Sequence, residues 1–154
     1  MAMRLATLAE EAARRHSGRV VKLLGDGVLL RFDGAVSAVQ SSIDLLNALS
    51  AAGMPNGHVG IDAGPLVVRE GDIFGSTVNL ASRLSDQADS GEVLVSESVA
   101  ATLPRDRFQC RTKGRIDLKG IAGPILAVAV VAWSGGEAPS PDMEGNHASG
   151  RLGG

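Results

Sequence analysis

Tyrosine is absent from this chain, and one tryptophan and three phenylalanines are its only other large aromatic residues. Aliphatic side chains must therefore build the core. The same scarcity removes the stacking platforms on which readers of single-stranded nucleic acid depend. A formal net charge of −2 offers no electrostatic attraction to a phosphate backbone, so no nucleic-acid partner is expected. Cys110 is the only cysteine, which excludes an internal disulfide and a cysteine-based zinc site and suits a reducing cytoplasm. No apolar run approaches the roughly 20 residues that span a bilayer. The longest, Ile125 to Trp133, reads as one buried strand. The opening Met1-Ala-Met-Arg-Leu lacks the apolar stretch of a secretory signal, and a cytoplasmic location is expected.

What remains is a chain with 44% apolar residues, enough for one domain with a real core. Leu5, Leu8 and Ala12 predict an amphipathic helix from Met3 to His16, ended by Ser17-Gly18. Arg19–Leu24 and Val28–Phe32 read as strands of a hairpin turning at Gly25-Asp26-Gly27. Val36, Val39, Ile43, Leu46 and Leu49 predict a helix from Gly34 to Ala52. Two strands should meet near Gly64-Pro65, and a helix should run from Ser76 to Ala88. A strand at Glu92–Val95 leads to a short helix with Ser96 as N-cap. Phe108–Thr112, Arg115–Leu118 and Ile125–Trp133 complete the strands. Residues 1–133 thus read as an α+β domain, and the Gly/Ser/Pro-rich residues 134–154 as a disordered tail.

Two stretches carry chemistry. Lys22-Leu-Leu-Gly-Asp26-Gly sets a carboxylate at a hairpin tip, a position suited to Mg²⁺, although Asp-Gly is also simply a common turn former. In Gly71-Asp-Ile-Phe-Gly-Ser-Thr-Val-Asn-Leu-Ala-Ser-Arg83, Asn79 and Arg83 lie one helical turn apart. An amide beside a charged fork suits a ribose and a phosphate, and a solvated helix face would look the same.

From about Gly18 to Val131 the sequence resembles the class III adenylate and guanylate cyclases. The resemblance runs through five motifs in order: Lys22–Phe32, His58–Pro65, Asp72–Arg83, Gly91–Ser96 and Leu118–Pro124. It implies a ferredoxin-like antiparallel sheet with helices on one face. It also implies conversion of ATP to 3′,5′-cyclic AMP and pyrophosphate in intracellular signalling, with Mg²⁺ or Mn²⁺ in a two-metal site. By the same resemblance Asp26 is a metal ligand, Lys22 and Asp72 read the purine edge, Asn79 orients the ribose, Arg83 stabilises the phosphate, and Lys119 holds the outer phosphates. Lys22 with Asp72 suits adenine, whose ring nitrogen accepts and whose amine donates. The implied assembly is a head-to-tail dimer, homomeric or heteromeric. His16, His58 and His147 match no motif and are expected to be structural or solvated.

Family members begin with a strand bearing an aspartate and a phosphate loop, and this sequence begins within the helix that follows. The expectation is a domain truncated at its N-terminus, without its first interior strand and first metal aspartate. Neighbouring strands would be left with unpaired backbone groups, and activity of the chain alone would be impaired. The alternative is a non-catalytic homologue that binds nucleotide or complements a partner cyclase subunit as a heterodimer.

Overall fold

The computed structural model describes residues 2–133 and 148–153. Helix α1 (Ala2–Arg15) buries Leu5, Ala9, Ala12 and Ala13 along one side and is followed by the hairpin β1 (Arg19–Leu24) and β2 (Gly27–Phe32). Leu24 pairs with Gly27, so the loop is the two residues Gly25-Asp26, one position earlier than an Asp-Gly turn would place it. Gly25 has φ 64° and Asp26 a negative φ, which is the pattern of a type II′ hairpin with glycine first. Helix α2 (Ala35–Ala51) then packs Val36, Val39, Leu45 and Leu49 into the core.

The next elements are β3 (His58–Ala63), β4 (Val67–Arg69), β5 (Asp72–Phe74) and α3 (Ser76–Gln87). After them come β6 (Val93–Ser96), α4 (Glu97–Thr102), β7 (Phe108–Ile116), β8 (Ile125–Trp133) and β9 (Ala148–Gly153). Ser96 caps α4 as its side chain implied, its Oγ accepting from Val99 N at 3.4 Å. The two strands expected between Phe108 and Leu118 are one strand, β7, with register shifts at Gln109/Cys110 and Thr112/Gly114. Those bulges bend the strand without ending it.

Seven strands form one sheet in the order β1-β2-β9-β3-β6-β8-β7, and β4 and β5 form a separate small hairpin. The sheet is mixed, since β3 and β6 run parallel and the other pairs antiparallel. Helices also cover more than the one face expected. The main cluster joins α1, α2 and α4 to Val28, Leu30, Phe32, Val59, Ile61 and Val95. Helix α3 lies on the opposite face, where Leu84 joins a second cluster with Leu94, Leu118, Ala127 and Ala129. Gly60 lets it come close: a Cβ there would stand 2.3 Å from Ala81 O.

A larger difference concerns the end of the chain. Residues 148–153, expected to belong to a disordered tail, form β9 inside the sheet, and residues 134–147 lie outside the described residues. Strand β9 pairs antiparallel with β2 from Gly27↔Gly153 to Phe32↔Ala148 and with β3 from His58↔Gly153 to Ala63↔Ala148. The backbone groups expected to be left unpaired on β2 and β3 therefore have partners. Composition alone misses this strand, because an interior ladder can hold a segment that has little apolar surface of its own.

Candidate functional site

The structure brings Lys22 and Asp72 together from elements 50 residues apart. Lys22 Nζ on β1 donates to Asp72 Oδ2 on β5 at 2.8 Å. Asp72 Oδ1 accepts from the backbone N of Ile73 at 2.8 Å. The hydrogen bond from Lys22, seconded by that of Ile73, lowers the Asp72 carboxyl below its ordinary value. Phe74, two residues along the same short strand, sets its ring 5.9 Å from Lys22 Nζ, within reach of a cation–π contact. The sequence reading missed this ring, and its period-2 spacing from Asp72 was the available signal.

Asp26 sits exposed in the turn at the tip of the β1–β2 hairpin. On α3, Asn79 is exposed and Arg83 is partly exposed, its Nη1 3.6 Å from Asp86 Oδ2. The helix starts two residues after β5, so one short segment carries Asp72, Asn79 and Arg83. Thr77 Oγ1 ties the first turn of α3 to the chain leaving β3 by donating to Pro65 O at 3.0 Å. Lys119 is exposed in the turn between β7 and β8. Its neighbour Leu118 is buried in the same cluster as Leu84, the residue after Arg83. Packing thus anchors the Lys119 turn and the C-terminal half of α3 to one small core.

The histidines have structural partners or fall outside the described residues. His16 Nε2 lies 2.7 Å from Asp44 Oδ2, joining the end of α1 to α2. His58 Nδ1 donates to Ser85 O at 2.7 Å. His147 is not among the described residues. A second carboxylate, Asp62 on β3, is buried and accepts from Ser96 Oγ at 2.7 Å. Burial raises its pKa, against the lowering effect of the Ser96, Ala63 and Ser98 hydrogen bonds.

Divalent-metal ligation can be tested on these side chains. Among the described residues no three His, Cys, Asp or Glu side chains gather in one place. Strand β9, beside the Asp26 hairpin, reads Ala-Ser-Gly-Arg-Leu-Gly and brings no carboxylate. Asp26, one exposed carboxylate, would need oxygen ligands from elsewhere to hold a Mg²⁺. A cleft of about 750 Å³ lies elsewhere, between α4 and the β7–β8 pair, lined in part by Glu97, Phe108, Cys110 and Val128. None of the expected site residues lines it.

A family model, the adenylate and guanylate cyclase catalytic domain, matches residues 10–131. The chain belongs to this cyclase family. Among curated relatives, an adenylate cyclase of Streptomyces coelicolor is 40% identical over 102 residues, which is 66% of this chain and 27% of that protein. A pH-sensitive adenylate cyclase of Mycobacterium tuberculosis is 32% identical over 136 residues, 82% of this chain and 34% of that protein. The chain therefore spans about a third or less of either relative. Of the solved structures, an adenylate/guanylate cyclase/hydrolase from Silicibacter pomeroyi superposes with TM-score 0.71 at 31% identity, covering 81% of this chain and 79% of that one. The adenylyl cyclase from P. aeruginosa gives TM-score 0.72 at 25% identity, covering 86% and 81%. Domains of the cyclase family generally bind nucleotide, use divalent metals and dimerise. No helix among the described residues of this cyclase domain is long and apolar enough to cross a membrane.

Proposed function

We propose that the chain is an adenylate-type cyclase domain that binds ATP and forms 3′,5′-cyclic AMP and pyrophosphate, with activity impaired when it acts alone. The observation that carries this reading is the Lys22–Asp72 contact of 2.8 Å. It sets one cationic donor beside one anionic acceptor, which is what the adenine edge requires: a donor to its ring nitrogen and an acceptor for its amine. Without nucleotide the two groups satisfy each other, and adenine would take over both hydrogen bonds. Guanine presents a carbonyl and a protonated nitrogen at those positions, leaving both side chains mismatched.

In the reaction the ribose 3′ hydroxyl forms a bond to the α-phosphorus, the bond to the bridging oxygen breaks, pyrophosphate leaves, and the hydroxyl proton is released. Asn79 would hold the ribose, Arg83 would balance charge gathering on the α-phosphate, and Lys119 would hold the outer phosphates. Asp26 would hold Mg²⁺ or Mn²⁺ with the phosphates, and the ion supplies further neutralisation of their charge. Leu23, Val67, Val68 and Phe74 are exposed on the hairpins that carry Lys22 and Asp72. Exposed apolar residues around a site favour a covered surface, so a head-to-tail dimer that shares the site between subunits fits this chain. Impairment follows from the donor set, in which Asp26 gains no second carboxylate from β9.

Nucleotide binding and cyclic AMP formation with ATP or GTP and Mn²⁺ test the reading together. ATP should bind in preference to GTP, the preference should fall in Lys22→Ala and Asp72→Ala, and turnover should be slow. Equal binding of the two nucleotides sinks the adenine reading, and turnover equal to that of the P. aeruginosa enzyme sinks the impairment. The second reading, complementation of a partner subunit, rests on the base-reading pair being present while the carboxylate set is short. It predicts that the chain restores activity to a cyclase mutated at its own purine-reading positions; no rescue on mixing counts against it.

A further inference from the structure

Helix α3, which carries Asn79 and Arg83, ends without a cap of its own. Its last turn holds no basic residue, and the chain leaves it through Ala88 in an extended conformation, φ −72° and ψ 140°. The last carbonyls of a helix lack partners within it and carry partial negative charge. Here a partner comes from β7, 26 residues further along the chain. Lys113 Nζ donates to Gln87 O at 3.2 Å, to Asp89 Oδ2 at 3.3 Å and to Glu92 Oε1 at 2.7 Å. An ammonium has three N–H donors, and three acceptors surround this one. Glu92 Oε1 also accepts from Asp89 N at 3.0 Å, and Glu92 Oε2 lies 3.9 Å from Arg111 Nη2. The Lys113 and Glu92 side chains are 23% and 11% exposed, more sheltered than an ordinary surface ion pair. Burial works against the Lys113 charge, but the Glu92 and Asp89 hydrogen bonds outweigh it and raise the ammonium above its ordinary pKa. The strand delivers the side chain through an irregularity. Thr112 pairs with Val128 and Gly114 with Ala127, so Lys113 is the unpaired residue of a bulge, a device that re-aims a side chain.

We infer that Lys113 is a positioning residue for the α3 side of the site, holding the C-terminal end of the helix so that Arg83 meets the nucleotide phosphate. This rests on the cyclase reading above, in which Arg83 balances charge on the α-phosphate. Gln87 stands one helical turn beyond Arg83 on the same face. Its neighbour Asp86 is the residue whose Oδ2 lies 3.6 Å from Arg83 Nη1. Releasing the Gln87 carbonyl would let the last turn fray, and Arg83 belongs to the turn before it. The first turn of α3 is held separately, by Thr77 donating to Pro65 O, so Asn79 depends less on Lys113. The base-reading pair lies on β1 and β5, outside this set of contacts. Loss of Lys113 should therefore weaken the hold on phosphate without changing the choice of base. A general loss of stability would make no such distinction.

Calorimetric binding of ATP and of GTP, each with Mn²⁺, to the full-length chain gives the test, with Tm recorded for every variant. Lys113→Met keeps the apolar stem and removes the charge. ATP affinity should fall roughly tenfold while the ratio of ATP to GTP affinity stays within about twofold. Lys113→Arg, which keeps the charge, should recover most of the loss. In an Arg83→Ala background, adding Lys113→Met should cost no more than about twofold, because the residue it positions is gone. Glu92→Gln joined to Lys113→Met removes the carboxylate left without its partner, which protects folding while the Gln87 carbonyl stays unheld. The loss of ATP affinity should persist in that pair. Unchanged ATP affinity in Lys113→Met, or an equal loss with and without Arg83, overturns the positioning role and leaves the cyclase reading standing. No ATP binding by the unaltered chain overturns both.

Discussion

Replacing Gly60 with alanine should be among the most damaging single-methyl changes available to this domain. Gly60 lies at the centre of β3, facing α3, and its φ is not the issue. An added Cβ would stand 2.1 Å from Ser85 N, 2.3 Å from Ala81 O and 2.8 Å from Leu84 C. All three are backbone atoms of one helix, so no side chain can rotate aside. Bringing the nearest contact to an ordinary separation of about 3.4 Å requires α3 to retreat by roughly 1.3 Å. That retreat loosens Leu84 from Leu94 and Leu118 and strains the hydrogen bond from His58 to Ser85.

Overpacking in a core costs about 1–3 kcal/mol, and a clash with fixed backbone belongs at the upper end of that range. A loss near 3 kcal/mol corresponds to a fall in Tm of roughly 6–12 °C for a domain of this size. Thermal unfolding followed by circular dichroism, with urea titration for the free energy, measures it. Because α3 carries Asn79 and Arg83, nucleotide affinity should fall even at temperatures where the variant is folded. Stability within about 0.5 kcal/mol of the parent would show that α3 does not sit against β3 as described, and the reasoning would fail.

Further substitutions probe two buried polar groups, Asp62 and His16. Burial raises the Asp62 pKa, so the folded state holds that proton more tightly than the unfolded one. The contribution is present in full below the unfolded value near 4 and is lost as pH rises through the folded one. Asp62→Asn keeps an acceptor for Ser96 and carries no charge, so the decline of Tm with rising pH across that window should shrink; identical pH profiles would refute this. His16 is 3% exposed and pairs with Asp44, so Asp44→Ala should cost about 1–3 kcal/mol in urea titration, while Asp44→Asn should retain most of the stability. Equal losses in the two variants would show that the hydrogen bond is not what matters there.

Most of the fold was legible because its elements follow periods that depend on local sequence. The β1–β2 hairpin, α2 and α3 alternate or repeat strongly enough for their bounds to be read within a residue or two. The Ser96 cap is likewise a local signal. Strand β7 was split because the turn-forming Gly114 suggested an end, while Lys113 holds that stretch against the sheet through Glu92 Oε1 at 2.7 Å, a contact 21 residues away in sequence. The position of α3 on the opposite face could not be read either. It depends on Gly60 accepting a helix backbone, and a glycine in a strand gives no indication of what approaches it.

The candidate site divides along the same line. Asn79 and Arg83 were singled out by their spacing of one helical turn, Lys22 and Asp72 by the family resemblance of their motifs, and the structure places Lys22 against Asp72. Strand β9 and the carboxylate count around Asp26 depend instead on which distant segment enters the interior of the sheet. No local period reports that, since a ladder on both sides accepts a Gly- and Ser-rich segment that would be unstable anywhere else. The two halves of the site therefore rest on different physics. Lys22 and Asp72 meet through one side-chain hydrogen bond between the edge strand β1 and the small β4–β5 hairpin, whereas Asp26 sits in a turn whose strand β2 is closed on its far side by β9.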